Sequence, residues 1–201
     1  MKNSPLLIGI TGGIGSGKSL ISSIFNKLGL PVYDADTRAK WLMAHDPNIK
    51  SQLIELLGSE SYTEQGLNRS FIARKSFNNE KILTRLNAMV HPEVGVDFTR
   101  WVALHDSSPV LLKESALIFE TSSHTELDQV ILVLSPSALR IKRVLARDLH
   151  RDKKDIEAII SRQLPAAETS LLAHFIIKND EKNLLIPQVL SIHKALIAQA
   201  S

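Results

Sequence analysis

The chain has 201 residues, no cysteine, and 24 Lys and Arg against 21 Asp and Glu, for a net charge of +3. These values exclude a disulfide framework and any thiolate nucleophile or metal site, and they leave a global field too weak to mark a nucleic-acid binder; a reducing cytosol suits such a chain. The length suits one α/β core with elaborations, or at most two small domains, and hydrophobic residues at 44% are enough for a sizeable core.

The first five residues run directly into an apolar stretch, so no secretory leader is expected, and no run approaches the roughly 18 apolar residues of a membrane span. Leu6-Leu7-Ile8-Gly9-Ile10-Thr11 reads as a short buried strand. Gly12 to Ser19, GGIGSGKS, then fit G-x-x-x-x-G-K-[ST]. After them Ile21, Ile24, Phe25 and Leu28 recur at i, i+3, i+4 and i+7, one face of a helix that stops at Gly29. A strand, a glycine-rich turn and a helix in that order predict a phosphate cradle built from Gly13, Ile14, Gly15, Ser16, Gly17, Lys18, Ser19 and Leu20. Backbone N–H groups there curl around phosphate oxygens above the positive end of the helix dipole. Lys18 supplies a point charge to the β- and γ-phosphates, and the Ser19 hydroxyl a ligand for Mg²⁺. A nucleoside triphosphate is the expected ligand.

Leu30-Pro31-Val32-Tyr33 reads as a second strand, ending in Asp34-Ala35-Asp36. Thr37 to about Asp106 looks largely helical, interrupted at Asp46-Pro47, Gly58, Gly66 and His91-Pro92. Val110-Leu111-Leu112 and Val130 to Leu134 are strand-like, and after the Ser135-Pro136 break Ser137 is placed to cap a helix. Helical patterning continues to Gln163-Leu164-Pro165, Phe175-Ile176-Ile177 is a last strand, and a C-terminal helix enters through Pro187. Short apolar strands alternating with helices predict a parallel sheet covered on both faces, with ligands at the carboxyl ends of its strands. The phosphate loop, Asp34, Asp36 and Glu114 then gather at one edge. No linker divides the chain.

A carboxylate at Asp34 or Asp36 can accept the proton of an attacking hydroxyl or hold Mg²⁺ through water; capping the next helix is the alternative for one of them. Glu114 ends its strand where an acidic magnesium partner would stand. No N-K-x-D motif is present, which disfavours a GTP switch. Arg140, Arg143, Arg147 and Arg151 fall within an arc of about 80° if one helix carries them all. Such a row can clamp a transferring phosphoryl group or serve as a solvated basic face. His91, Trp41 and Trp101 read as structural residues, the tryptophans in the core or between helices.

With these motifs in view, the chain resembles the dephospho-CoA kinase family along nearly its whole length. ITGGIGSGKS, LPVYDAD, Val90-His91-Pro92, Ala116-Leu117-Ile118-Phe119-Glu120, Arg143 with Arg147-Asp148, Gln163-Leu164-Pro165 and Ile176-Ile177-Lys178-Asn179 stand in the family's order. The resemblance implies a P-loop kinase fold: one unit over 1–201, with a helical acceptor-binding insertion near 37–106 and a helical lid near 137–165. It implies transfer of the ATP γ-phosphoryl group to the ribose 3′-hydroxyl of dephospho-CoA, in the cytoplasm, with no nucleic-acid or membrane partner. Asp36 would be the base and Asp34 would support it or, with Ser19, the Mg²⁺. Lys18 would serve the phosphates, Arg143 and Arg147 would belong to a mobile lid, and Asn179 would lie near the adenine. Thr11, Asp34, Asp36, His91, Leu117, Ile118 and Glu120 would hold the acceptor. Leu20, Ala116, the Lys113-Glu114 pair and Ile159 depart from the family's pattern, which has an arginine at the last position. The competing readings are a kinase of nucleosides or nucleotides, an ATP-hydrolysing regulatory module, and nucleic-acid binding through the tract from Arg140 to Lys154.

Overall fold

Leu6–Thr11 (β1) is almost wholly buried, and the main unit is built outward from it. The computed structural model describes residues 4–76 and 79–200. β1 pairs in parallel with Val110–Glu114 (β5) on one side and Gln129–Leu134 (β6) on the other. Val32–Asp34 (β2) adds beyond β5 and Phe175–Lys178 (β7) beyond β6, giving the order β2-β5-β1-β6-β7. All four pairings are parallel, as short apolar runs joined by helical crossovers dictate.

The period of two along each strand sorts residues between the faces. Ile8, Ile10, Leu112, Ile131, Val133 and Ile177 face Lys18–Lys27 (α1) and Leu185–Ala200 (α9), which contribute Ile21, Phe25, Val189, Ile192 and Leu196. Burying each such side chain stabilises the fold by about 1.5–3 kcal/mol. On the other face Ile118, Phe119 and Val130 pack with Leu127 and Ala173, and Ala166–Leu172 (α8) lies against β6.

Ser137–Arg147 (α6) and Lys153–Ser161 (α7) follow β6. The expected cap at Ser137 is not made: Pro136 occupies the N-cap position and no side chain caps the helix. The single stretch of helical pattern is two helices, because Asp148 ends α6 and Asp152 starts α7 with a reciprocal capping box to Asp155. Arg151 therefore lies between helices and does not share the face that carries Arg140, Arg143 and Arg147.

Residues 35–103 form a second compact unit, the rest of the described chain the first. The second comprises Ala35–His45 (α2), Pro47–Leu57 (α3), Arg69–Ser76 (α4) and Glu80–Ala103 (α5), with a hairpin of Tyr62–Thr63 (β3) and Gly66–Leu67 (β4). Asp46 caps α3 by accepting from Asn48 and Ile49 N–H, each at 2.9 Å, with Pro47 at the first turn. Leu53, Phe71 and Ile72 form its core with Leu57, Tyr62, Leu67, Leu86 and Met89. Arg38 grips Asp97 through two bonds of 2.8 and 2.6 Å, fastening α2 to α5.

The helical pattern is interrupted at Gly66 as expected, by the β3–β4 hairpin. Two expectations are corrected here. His91-Pro92 does not interrupt the chain: Pro92 sits inside α5, where the lost backbone bond is outweighed by the buried stripe Val90, Val94 and Phe98. Trp41 is not a core residue. Its ring is 45% exposed and lies between the Arg38 guanidinium and the His45 ring, each 4.5 Å away.

Candidate active site

The turn from β1 into α1 has the backbone that its glycines allow. Gly17, at φ 95°, caps α1, and a Cβ on it would run into the Asn179 side chain. Gly12 lies so close to the Val133 carbonyl that a Cβ would collide with it. Lys18, first in α1, is buried and folds back over the loop, its Nζ donating to the Gly12 carbonyl at 2.8 Å and reaching the Gly13 carbonyl at 3.5 Å. The Ser16 hydroxyl is buried with no partner among the described residues.

Ser19, the residue after Lys18, donates to Glu114 Oε1 at 2.8 Å. The period of two explains the meeting. Glu114 is on the same side of β5 as Val110 and Leu112, the side that α1 covers. Glu114 is buried, and Asp34 is its register partner on β2, so two carboxylates end adjacent strands beside the Ser19 hydroxyl. Asp36 is the second residue of α2, exposed, and roughly 7 Å of chain at most separates its Cα from that of Asp34. His91 is exposed on α5. Both belong to the second unit, while Lys18, Ser19, Asp34 and Glu114 belong to the first.

The other end of the loop is held by Asn179. Buried just after β7, it donates from Nδ2 to the Ser16 carbonyl at 2.8 Å, and its own carbonyl accepts from Arg143 Nη1 at 3.2 Å. Arg143 also bonds Ser135 Oγ at 3.1 Å and Glu181 at 3.3 Å. Arg147 bonds Asp148 at 2.9 Å, which raises its already high pKa, and Arg151 reaches the same carboxylate at 3.5 Å.

A cavity of about 340 Å³ opens beside the loop, lined by Thr11, Gly12, Gly13 and Ser16 on one side and Phe119, Glu120 and Leu164 on others. Glu120 Oε1 accepts from Leu164 N–H at 3.2 Å. Leu117 is partly buried, and Ile118 is buried in the apolar cluster beneath the segment. Two residues of the site were not among the expected functional ones. Arg140 and Gln163 bond each other and the Ile14 peptide. The sequence offered Arg140 only as one of a row and Gln163 only as part of a motif.

Lys113, beside Glu114 but on the opposite face of β5, is 5% exposed and 3.8 Å from Glu126. Burial pushes its pKa below the ordinary 10.5, with Glu126 pulling it back up. Between the folded pKa and 10.5 the unfolded chain binds more protons, so the cost of the buried charge is full at neutral pH and is relieved as pH rises. Lys113→Met is therefore expected to gain stability relative to the parent near pH 7, and the gain shrinks toward pH 10 in urea titrations. A difference independent of pH contradicts this.

A parallel sheet with a phosphate loop after its first strand, a buried loop lysine and a serine bonded to a strand-end carboxylate defines the chain as a P-loop kinase. The dephospho-CoA kinase family model matches residues 6–184. A dephospho-CoA kinase of Porphyromonas gingivalis is 37% identical over 93% of this chain and 92% of its own length, and one of Leptospira interrogans is 39% identical over 86% and 84%. The crystal structure of a Thermus thermophilus protein superposes with a TM-score of 0.83 at 29% identity, covering 98% of this chain and 99% of that one. The chain belongs to the dephospho-CoA kinase family. Its reaction is that of the family, ATP-dependent phosphorylation of dephospho-CoA in coenzyme A biosynthesis. No helix among the described residues is long and apolar enough to cross a membrane.

Proposed function

We propose that the phosphoryl group goes to the ribose 3′-hydroxyl of dephospho-CoA, with Asp36 as the general base. The acceptor oxygen forms a bond to Pγ, the bond from Pγ to the bridging oxygen of ADP breaks, and the hydroxyl proton passes to the Asp36 carboxylate. Lys18 and the backbone of Gly13 to Leu20 hold the triphosphate. Thr11, His91, Leu117 and Glu120 hold the acceptor, with its pantetheine arm in the cavity beside Phe119; Ile118, expected among them, is wholly buried in the apolar cluster and offers no surface to it. Asn179 and Arg143 frame the adenine end, and Arg143 and Arg147 belong to a lid of α6 and α7 that excludes water on closing. The observation that carries this reading is the Ser19–Glu114 bond, with Glu114 at the carboxyl end of β5 in register with Asp34, which stands two residues before Asp36.

The oxygen donors of Ser19, Asp34 and Glu114 suit Mg²⁺, which takes one or two carboxylates and completes its shell with phosphate oxygens and water. Bound there, Mg²⁺ would neutralise charge on the β- and γ-phosphates. No cluster of three or more His, Cys, Asp and Glu side chains able to hold a metal ion occurs among the described residues, which agrees with a site completed by substrate. The reaction has a cytoplasmic setting in this reading, and no nucleic acid takes part.

The test is a product assay. With ATP and Mg²⁺, dephospho-CoA is expected to give ADP and the 3′-phosphorylated product in equal amounts, and a chelator to stop the reaction. Phosphorylation of nucleosides or nucleoside monophosphates in place of dephospho-CoA would refute the reading.

A further inference from the structure

One guanidinium of the 137–165 region rests on the phosphate loop itself. Arg140 Nε donates to the Ile14 carbonyl at 2.9 Å, and Nη2 to Gln163 Oε1 at 2.7 Å. The same Gln163 oxygen accepts from Ile14 N–H at 3.1 Å, so one amide and one peptide fix the plane of the guanidinium. The group overlies Gly13 so closely that a Cβ there would strike it. Lys18 Nζ approaches the carbonyl of that same Gly13. Two cations thus converge on one residue, an arrangement that an anion between them makes favourable.

Both partners of Arg140 are neutral, and no carboxylate among the described residues pairs with it. Two of its five N–H groups are used; the remaining three have no protein partner among the described residues, and the side chain lines the cavity. Burial pushes its pKa down, but an arginine stays charged. Arg143, by contrast, is spent on Ser135, Asn179 and Glu181, while Arg147 and Arg151 share Asp148.

We infer that Arg140 is a further catalytic residue: with ATP bound, its guanidinium contacts the γ-phosphoryl oxygens and stabilises the charge spread over them during transfer, and Gln163 is the positioning residue that holds its plane. Lys18 serves the β- and γ-phosphates, and a second cation over the same glycine is placed to act on the group that is transferred. Arg140 exchanges no proton; its contribution is charge and fork geometry. The inference rests on the proposed reaction, but its binding arm needs no acceptor.

The experiment uses the full chain and compares Arg140→Met, Arg140→Lys and Gln163→Met with the parent for kcat on dephospho-CoA and for the dissociation constants of ATP and ADP. Arg140→Met is expected to lower kcat by about 10²- to 10³-fold. It should weaken ATP roughly tenfold and leave ADP unchanged, because ADP lacks the group contacted. Arg140→Lys keeps the charge without the fork and should recover only part of the loss. Gln163→Met should lower kcat about tenfold with little change in the acceptor KM. Parent-like kcat with an unchanged ATP-to-ADP affinity ratio in both arginine variants overturns the inference, and so does equal weakening of ATP and ADP, which makes Arg140 loop scaffold. If Arg140→Met does not fold, the Arg140→Lys ratio decides. A parent protein inactive on dephospho-CoA would refute the reaction instead, while the ATP-to-ADP ratio still judges Arg140.

Discussion

Asp36→Asn is expected to lower kcat by about 10²- to 10⁴-fold while the ATP dissociation constant stays close to that of the parent. Asparagine keeps the shape of the side chain and cannot take a proton. The residue is exposed at the start of α2, so the change creates no cavity. Its loss should therefore appear in turnover and not in thermal stability. Single-turnover quench with isothermal titration of ATP separates the two quantities. Turnover close to that of the parent removes Asp36 as the base and returns attention to Asp34, which ends β2 beside Glu114.

Lys18→Ala is expected to fail in both respects, weakening ATP and lowering kcat by about 10²- to 10³-fold. The ammonium is buried and held over the loop by the Gly12 carbonyl at 2.8 Å, a distance that a point charge can exchange for a phosphate oxygen with little movement. Removing it takes one of the two cations that meet the loop at Gly13. ATP titration of Lys18→Ala that matches the parent contradicts the assignment of the loop.

The phosphate loop was legible because everything it needs lies within Gly12 to Ser19: glycines where a side chain would collide, a lysine on the first turn of a helix, and a strand before it. Periodicity also told which face of α1 is buried. It failed where a local rule met tertiary packing. Pro92 reads as a helix break and is carried inside α5 by its buried stripe. Ser137 reads as a cap and is not one, since Pro136 already sets the turn. Trp41 reads as a core or helix-packing residue, yet it is 45% exposed and its ring meets Arg38 and His45 on its own helix.

The four arginines show the same division. Spacing placed them in a row; it could not say that the helix ends at Arg147, nor that Arg140 and Arg143 bond different groups while Arg147 and Arg151 share Asp148. The contacts that build the site join residues distant in the chain. Ser19 meets Glu114 across 95 residues, Arg140 meets Ile14 across 126, and Asn179 meets Ser16 across 163.

From residue order alone came the class of ligand, the parallel α/β character and the family resemblance, because short-range geometry and strand and helix periods are written in neighbouring residues. Three-dimensional packing alone settled the order β2-β5-β1-β6-β7, and with it which carboxylate reaches Ser19 and which arginine lies on the loop. Hydrophobic burial is non-directional: it says that a face must be covered, and only the assembled sheet says by what.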